Sequence, residues 1–466
     1  MDFKKIDMGE LGRQLFAKIL KATASDGKFK DIFEECKLKD EPFTDESFPP
    51  NEFSLITDWD EEADGVPEKA RKWHRYNWIR ANDIESLNDD EGKLAVFQNR
   101  VEPSDIKQGE LGDCYFLSTL SVLAEKQSRI KRLFLTDRQN KYGIYGVRIC
   151  KNGEWRDVVI DDYIPCHYGE PVFSAANGNE LWVLIMEKAW AKLHGSYERI
   201  EAGFAENVMR DLTGAPTEVI EIGEDRLWDS CNKADQSGWV MAASAGSTGA
   251  SVEALQDLGL IGYHAYGLIG VVEVTDKFGD RIKLFQLRNP WGDFEWNGDW
   301  GDKSDDWTPE SKEQAGWTDA DDGTFFMCID DLRKYFSRVQ ICRINDNYIY
   351  SQFKARHKLN SFSLIRFVVN EPGGHHYLTV NQTDERCFDR KIEYDYSNVR
   401  LIVAKIENPD EDVKTLTYKN GKMGQDRDTW EEYENLEPGE YYVYVEFDWP
   451  DNVQHTEFCL SCYGES

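Results

Sequence analysis

Hydrophobic periodicity changes twice along this chain, which restricts it to a mixed fold of several units. From about residue 100 to 213 the pattern is helix-rich, with a long candidate helix at 180–197. From about 214 to 343 it shifts to strands, at 218–222, 237–243, 265–274 and 281–287. Beyond about 350 come short apolar or alternating segments, such as 362–370, 399–406 and 441–447. Pro372-Gly373-Gly374, Asn420-Gly421 and Pro438-Gly439 separate them, and that spacing predicts an antiparallel β-sandwich. Near the N-terminus, Leu11, Leu15, Phe16, Ile19 and Leu20 fall on one side of an expected amphipathic helix within 1–20. Residues 38–66, acidic and proline-containing, read as irregular.

A length of 466 residues allows two or three domains of about 150 each. With 55 basic and 87 acidic side chains the net charge is −32. That balance argues against nucleic acid or an anionic membrane as the main partner. The longest apolar run, Leu181–Met186, has six residues, where a membrane helix needs about 20. The first twenty residues lack the apolar segment of a signal peptide, so a cytoplasmic location is expected. Ten cysteines are too dilute for a disulfide scaffold, which agrees with a reducing compartment. Cys459 and Cys462 have no second pair or spaced histidine and read as half-buried strand cysteines, not a zinc site. His375 and His376, after Gly374, lack a third ligand at metal-site spacing and read as loop residues.

The chemistry lies in three segments. In Gln108-Gly109-Glu110-Leu111-Gly112-Asp113-Cys114-Tyr115-Phe116-Leu117, a glycine-containing turn leads into a helix opened by Cys114. The positive end of a helix dipole favours thiolate over thiol. Gln108 is placed to turn an amide N–H back, forming an oxyanion hole with the Cys114 N–H. By itself the segment reads equally well as a buried helix-start cysteine. A thiol nucleophile also needs an imidazole base and an acceptor to orient it. His264 precedes the apolar strand at 265–274, and Asn289-Pro290-Trp291 follows the strand at 281–287. Trp291 is placed to cover the pair from water. Alone, His264 would read as a core histidine; the three segments together, in the order Cys, His, Asn, reverse that.

Those three segments, with 154–165, 179–198, 211–216 and 322–342, resemble the calpain family of cysteine proteases over about residues 45–343. The resemblance implies an α+β fold. A papain-like protease core would have a helical, nucleophile-bearing half at 46–213 and a strand-rich half at 214–343. An N-terminal segment at 1–45 would precede it, and a calpain-type β-sandwich at 350–466 would follow. It also implies roles: Cys114 as nucleophile, His264 as base, Asn289 as orienter, Gln108 as oxyanion donor, and Trp291 beside the asparagine. Tyr115 stands where the family usually has tryptophan, and is expected to keep an aromatic wall in the substrate cleft.

The resemblance further implies calcium in each half of the core. In the first half Asp105 and Glu180 match the family's carboxylates, with backbone carbonyls at Gln98 and Arg100. In the second half Glu295, Asp302 and Asp322 match, with a carbonyl at Ala320. The last position is Thr324, where conventional calpains have glutamate, so this site is expected to be the weaker. Between Asp293 and Asp331 lie 13 acidic residues against two lysines. No EF-hand loop pattern occurs, so the likeness is to atypical calpains lacking that module. The expected function is calcium-dependent, limited proteolysis of protein substrates by a monomer. The β-sandwich is expected to brace the core, and membrane contact, if any, would go through it. A non-catalytic calpain-like scaffold and a Cys-His acyltransferase are the alternatives.

Overall fold

The computed structural model describes residues 29–56, 68–88, 93–98, 100–176, 178–246, 251–358, 361–371, 373–388, 394–449 and 457–465. The helix expected within 1–20, and residues 57–66 of the irregular segment, lie outside the described residues.

Helix α1 (Cys114–Ala124) starts directly after Gly112-Asp113 and is buried on every side beyond Cys114. A helix apolar all round belongs in a core, not on a surface. Strands β1 (Ile144–Lys151) and β2 (Glu154–Asp161) form an antiparallel hairpin beside it. From sequence, the stretch from about 100 to 213 reads as helix-rich, and this hairpin is not among the expected strands. The hairpin escaped because Val158, Val159 and Ile160 are all buried, which erases the alternation of a half-exposed strand. Helix α2 (Trp182–His194) lies on β2 and stops at Gly195, whose φ of 104° is left-handed. Helix α3 (Ala205–Thr213) packs on α1 and β1.

The second half is one antiparallel sheet flanked by helix α4 (Leu227–Gln236). Its strands are β3 (Thr217–Glu221), β4 (Val240–Ala245), β5 (Ala265–Thr275), β6 (Arg281–Arg288), β7 (Thr324–Cys328) and β8 (Phe336–Cys342), in the order β7-β6-β5-β4-β8-β3. The start of β5 pairs with the end of β6, Gly267 facing Arg288. Residues just before β5 and just after β6 are therefore neighbours. Helix α1 packs against β4 and β5, which joins the two halves.

Eight further strands form the C-terminal domain: β9 (Ile349–Arg356), β10 (Phe362–Val369), β11 (His375–Asn381), β12 (Asn398–Ile406), β13 (Leu416–Gly424), β14 (Asp428–Glu434), β15 (Gly439–Asp448) and β16 (Glu457–Gly464). They make two antiparallel sheets, β9-β16-β11-β14 and β10-β15-β12-β13. Leu378, Val380, Val403, Tyr441, Val443 and Val445 fill the space between. Cys459 (buried) and Cys462 (half-buried) sit in β16. His375 and His376 correct the loop reading: both lie in β11, paired with β14. Glu432 and Glu434 of β14 approach His375 to within 4.8 Å, so partners do exist across the strand. Glu432 also accepts from the Arg343 guanidinium at 2.6 Å.

This domain meets the helical half through a buried ion cluster. Lys151 donates to Asp211 at 3.0 Å and to Asp384 at 2.5 Å, while Arg427 binds Asp211 at 3.0 Å and Asp384 at 3.1 Å. Lys151 also donates to Nε2 of His194, whose Nδ1 donates to the Trp190 carbonyl at 2.8 Å. Burial and the Lys151 charge hold that imidazole neutral. Removing one member of such a cluster strands a buried charge and costs about 3–5 kcal/mol.

Candidate active site

The register of β5 and β6 brings His264 and Asn289 together, with Nε2 and Oδ1 2.9 Å apart. An amide oxygen only accepts, so Nε2 carries the proton and Nδ1 keeps its lone pair. The amide cannot swing, because its Nδ2 donates to the carbonyls of Asp293 at 3.0 Å and Phe294 at 3.1 Å. The Trp291 N–H adds a 3.2 Å bond to the same Oδ1, and its ring stands edge-on to the imidazole with centroids 5.5 Å apart. His264 is only 5% exposed. Burial pushes its pKa down to about 4, partly opposed by the Asn289 bond.

Cys114 comes from the other half, at the start of α1, and is half-buried. The backbone N–H of Ala265, the residue after His264, reaches its thiol. Burial pushes the thiol up to about 11, against the pull of that N–H.

Gln108 ties the halves: its backbone N–H donates to the Pro290 carbonyl at 3.0 Å. Its side-chain Nε2 donates to the Leu111 carbonyl at 2.6 Å, which occupies one amide hydrogen. The second hydrogen is left for another acceptor. Arg288, which closes β6, reaches across to Ser121 at 3.2 Å and to the Ile106 carbonyl at 3.3 Å. Its burial lowers the guanidinium pKa to about 10, while Asp105 and Asp322 counteract the loss.

The candidate calcium ligands also fall into two groups. Asp105 and Glu180 lie close enough that Glu180, after burial, helps push Asp105 up to about 6. Glu180 accepts from the Gln98 backbone N–H at 2.5 Å and from Trp182 at 3.0 Å. Arg100 is exposed and turns its side chain to Glu102 at 3.7 Å. In the second half, burial, Asp302 and Asp321 push Glu295 up to about 7. Glu295 accepts from the N–H groups of Asp322 at 3.1 Å and Gly323 at 2.9 Å. Asp322 caps the Thr324 N–H at 2.9 Å, and Ala320 lies just before this turn. Proton-retaining carboxylates crowded with one another fit a hard cation with oxygen ligands. The carboxylates of Glu295, Asp302 and Asp322 do not converge within 4.8 Å; among the described residues only His375, Glu432 and Glu434 do.

Tyr115 corrects the cleft-wall expectation. It is 2% exposed and points into the core, where its hydroxyl donates to the Ile200 carbonyl at 2.9 Å. Trp291, 38% exposed, is the aromatic residue at the surface beside His264. Two features near the site had no sequence signal. Asp113 is wholly buried, neither carboxylate oxygen has a hydrogen-bond donor, and Glu187 of α2 lies against it. Burial, and after it Glu187, raises Asp113 well above the usual carboxylate range, while burial pushes Glu187 up to about 8 against the pull of Ser174 and Asp113. Arg386, from the turn between β11 and β12, reaches the Tyr115 hydroxyl.

Residues 43–343 match the model of the calpain family cysteine proteases. The chain is 38% identical over 318 residues to calpain-type cysteine protease DEK1 of Arabidopsis thaliana, covering 66% of this chain and 14% of that one. It is 35% identical over 331 residues to calpain-9 of Rattus norvegicus, covering 69% and 45%. Calpain-B of Drosophila melanogaster is 33% identical over 337 residues, covering 69% and 34%. The chain thus spans less than half the length of these curated relatives. A solved structure of the cysteine protease and lectin-like domains of Cwp84, from Clostridium difficile, covers 80% of each chain with a TM-score of 0.24 at 13% identity. That likeness is too distant to bear on fold or function. With the family model covering both halves of the core, this chain belongs to the calpain family of cysteine proteases.

Proposed function

We propose that this chain is a calcium-dependent cysteine endopeptidase that cleaves cytoplasmic protein substrates at a few sites, acting as a monomer. The observation that carries the reading is the His264–Asn289 bond, which leaves Nδ1 as the free base beside the residue whose N–H reaches Cys114. Nδ1 of His264 takes the Cys114 proton, and Sγ attacks the scissile carbonyl carbon. The oxyanion is held by the Cys114 N–H and the remaining Gln108 amide hydrogen. His264 returns the proton to the departing amine as the C–N bond breaks, leaving a thioester. Water attacks that thioester, giving a proton to His264, and the thiol is restored with the acid product. Burial raises the energy of either charge alone, so thiolate and imidazolium form as a pair.

Calcium bound in the two halves supplies positive charge that allows the crowded carboxylates to ionise. Asp105 and Glu180 would hold it in one half, with the carbonyls of Gln98 and Arg100. Glu295, Asp302 and Asp322 would hold it in the other, with the Ala320 carbonyl and the Thr324 position. Asp105 and the Asp322 turn flank Arg288, whose side chain joins the halves, so their charge state reaches the closure of the site.

The test is cleavage of an unfolded protein substrate by wild type and Cys114→Ser across a calcium range. Calcium-stimulated cleavage that the variant lacks is the expected result. Cross-linking without cleavage would point to an acyltransferase, and binding without either to a scaffold.

A further inference from the structure

The first turn of α1 carries the proposed nucleophile, yet its own cap does not pin it. Asp113 occupies the N-cap without making a side-chain capping bond. What fixes this turn comes instead through Tyr115, one residue after Cys114. Its hydroxyl accepts from Arg386 Nη1 at 2.8 Å and from the Trp190 indole N–H at 3.2 Å, and donates to Ile200. The Arg386 guanidinium also stands 5.2 Å from the Tyr115 ring centroid and donates to the Ala202 carbonyl. A charged donor on both ring and hydroxyl holds an aromatic side chain more tightly than a neutral bond.

Arg386 belongs to the C-terminal domain, in the turn Glu385–Cys387 between β11 and β12. That turn is anchored on both sides. Asp384, just before it, binds Lys151 and Arg427, and Arg199 donates to the carbonyls of Arg386 at 2.6 Å and Phe388 at 2.7 Å. The chain also leaves room for the contact. A Cβ at Gly203 would lie 2.5 Å from Arg386 and 2.6 Å from Tyr115.

We propose that Arg386 is a positioning residue for the nucleophile: through Tyr115 the C-terminal domain fixes the start of α1 and so sets turnover at a site it does not touch. This rests on Cys114 being the nucleophile. A shift of about 1 Å in a reacting group can cost about 10²-fold in rate, and Cys114 moves with this turn.

The experiment uses the full chain as Tyr115→Phe, Arg386→Met, Arg386→Lys and the Tyr115→Phe/Arg386→Met double variant. Three quantities are read: kcat and KM on an unfolded protein substrate, the pH profile of iodoacetamide alkylation at Cys114 located by mass spectrometry, and thermal unfolding. Each of Tyr115→Phe and Arg386→Met should lower kcat by about 10–100-fold with KM within about twofold. Each should also slow alkylation at neutral pH. Arg386→Lys should recover part of the loss, and the double variant should fall no further than the worse single one. A lowered unfolding temperature with unchanged kcat per folded molecule and an unchanged alkylation profile would overturn the proposal, leaving the contact a domain brace. Should Arg386→Met not fold, Tyr115→Phe carries the test, since it removes one oxygen and keeps the ring. The failure of the protease reading looks different: wild type would cleave nothing, and Cys114 would alkylate no faster than an ordinary thiol. That outcome sinks both ideas.

Discussion

Burial pushes Cys114, Cys150, Cys328, Cys342, Cys387 and Cys462 alike up to about 11. Burial therefore does not single out Cys114; its place at a helix start, the Ala265 N–H at its thiol and His264 beside that residue do. His264 alone would also stay neutral, so in the proposed mechanism reactivity belongs to the pair and to the Asn289 bond that sets the tautomer. Gln108 contributes differently. One of its amide hydrogens is spent on Leu111, and the proposed mechanism gives the other to the oxyanion. Gln108→Ala should lower kcat by about 10²–10³-fold while KM changes little, because the donor meets charge that develops only during reaction. Steady-state kinetics on a peptide substrate check this, and an unchanged kcat would reduce Gln108 to a turn residue.

At the scale of elements, α2 shows what sequence could and could not reveal. Its existence was legible from apolar spacing, but the burial of Glu187, Lys188, Lys192 and His194 was not. Their partners, Asp113, Asp161, Asp45 and Lys151, come from distant segments, and no local pattern encodes such pairings. Strands β3 to β6 of the second half were legible as runs bounded by turns, whereas β7 and β8 were not. The hairpin β1–β2 was not, being buried too fully to alternate. The side-chain direction of Tyr115 was equally hidden, since Arg386 lies 271 residues away. The His–Asn pair was legible because two strands ending side by side need no distant partner. Burial raises Glu187 to about 8 from an ordinary 4.5. The folded chain then keeps a proton that the unfolded chain has lost, so stability falls as pH climbs through that window. Denaturant midpoints measured across it should decline, and Glu187→Gln should flatten the decline. An equally steep fall in the variant would show the slope arises elsewhere.

For the whole molecule, two halves and a β-sandwich meet on one buried helix. Among the described residues, polar contacts that join the halves include Arg129 to Gly238 and, nearer the site, Gln108 to Pro290 and Arg288 to Ser121 and Ile106. The candidate calcium ligands lie beside the latter contacts. Because Asp105 is raised to about 6 and Glu295 to about 7, calcium would have to displace protons there. The calcium needed for half-maximal cleavage should therefore fall as pH rises from below 6 to above 7, and cleavage assays over a pH and calcium grid check it. Asp105→Ala should raise that requirement more than Asp322→Ala, since the second group has Thr324 where conventional calpains have glutamate. Full cleavage in a strong chelator would contradict calcium gating while leaving the thiol chemistry untouched.

The central claim is that one thiol among ten does the chemistry. Its most direct test is graded alkylation of the active protein with iodoacetamide, with adducts located by mass spectrometry and remaining cleavage measured at each stage. The account predicts that cleavage falls in proportion to the Cys114 adduct and reaches zero when that site is full, with the other nine cysteines largely unmodified. Cleavage that persists on fully alkylated Cys114, or vanishes while Cys114 is still free, would contradict it.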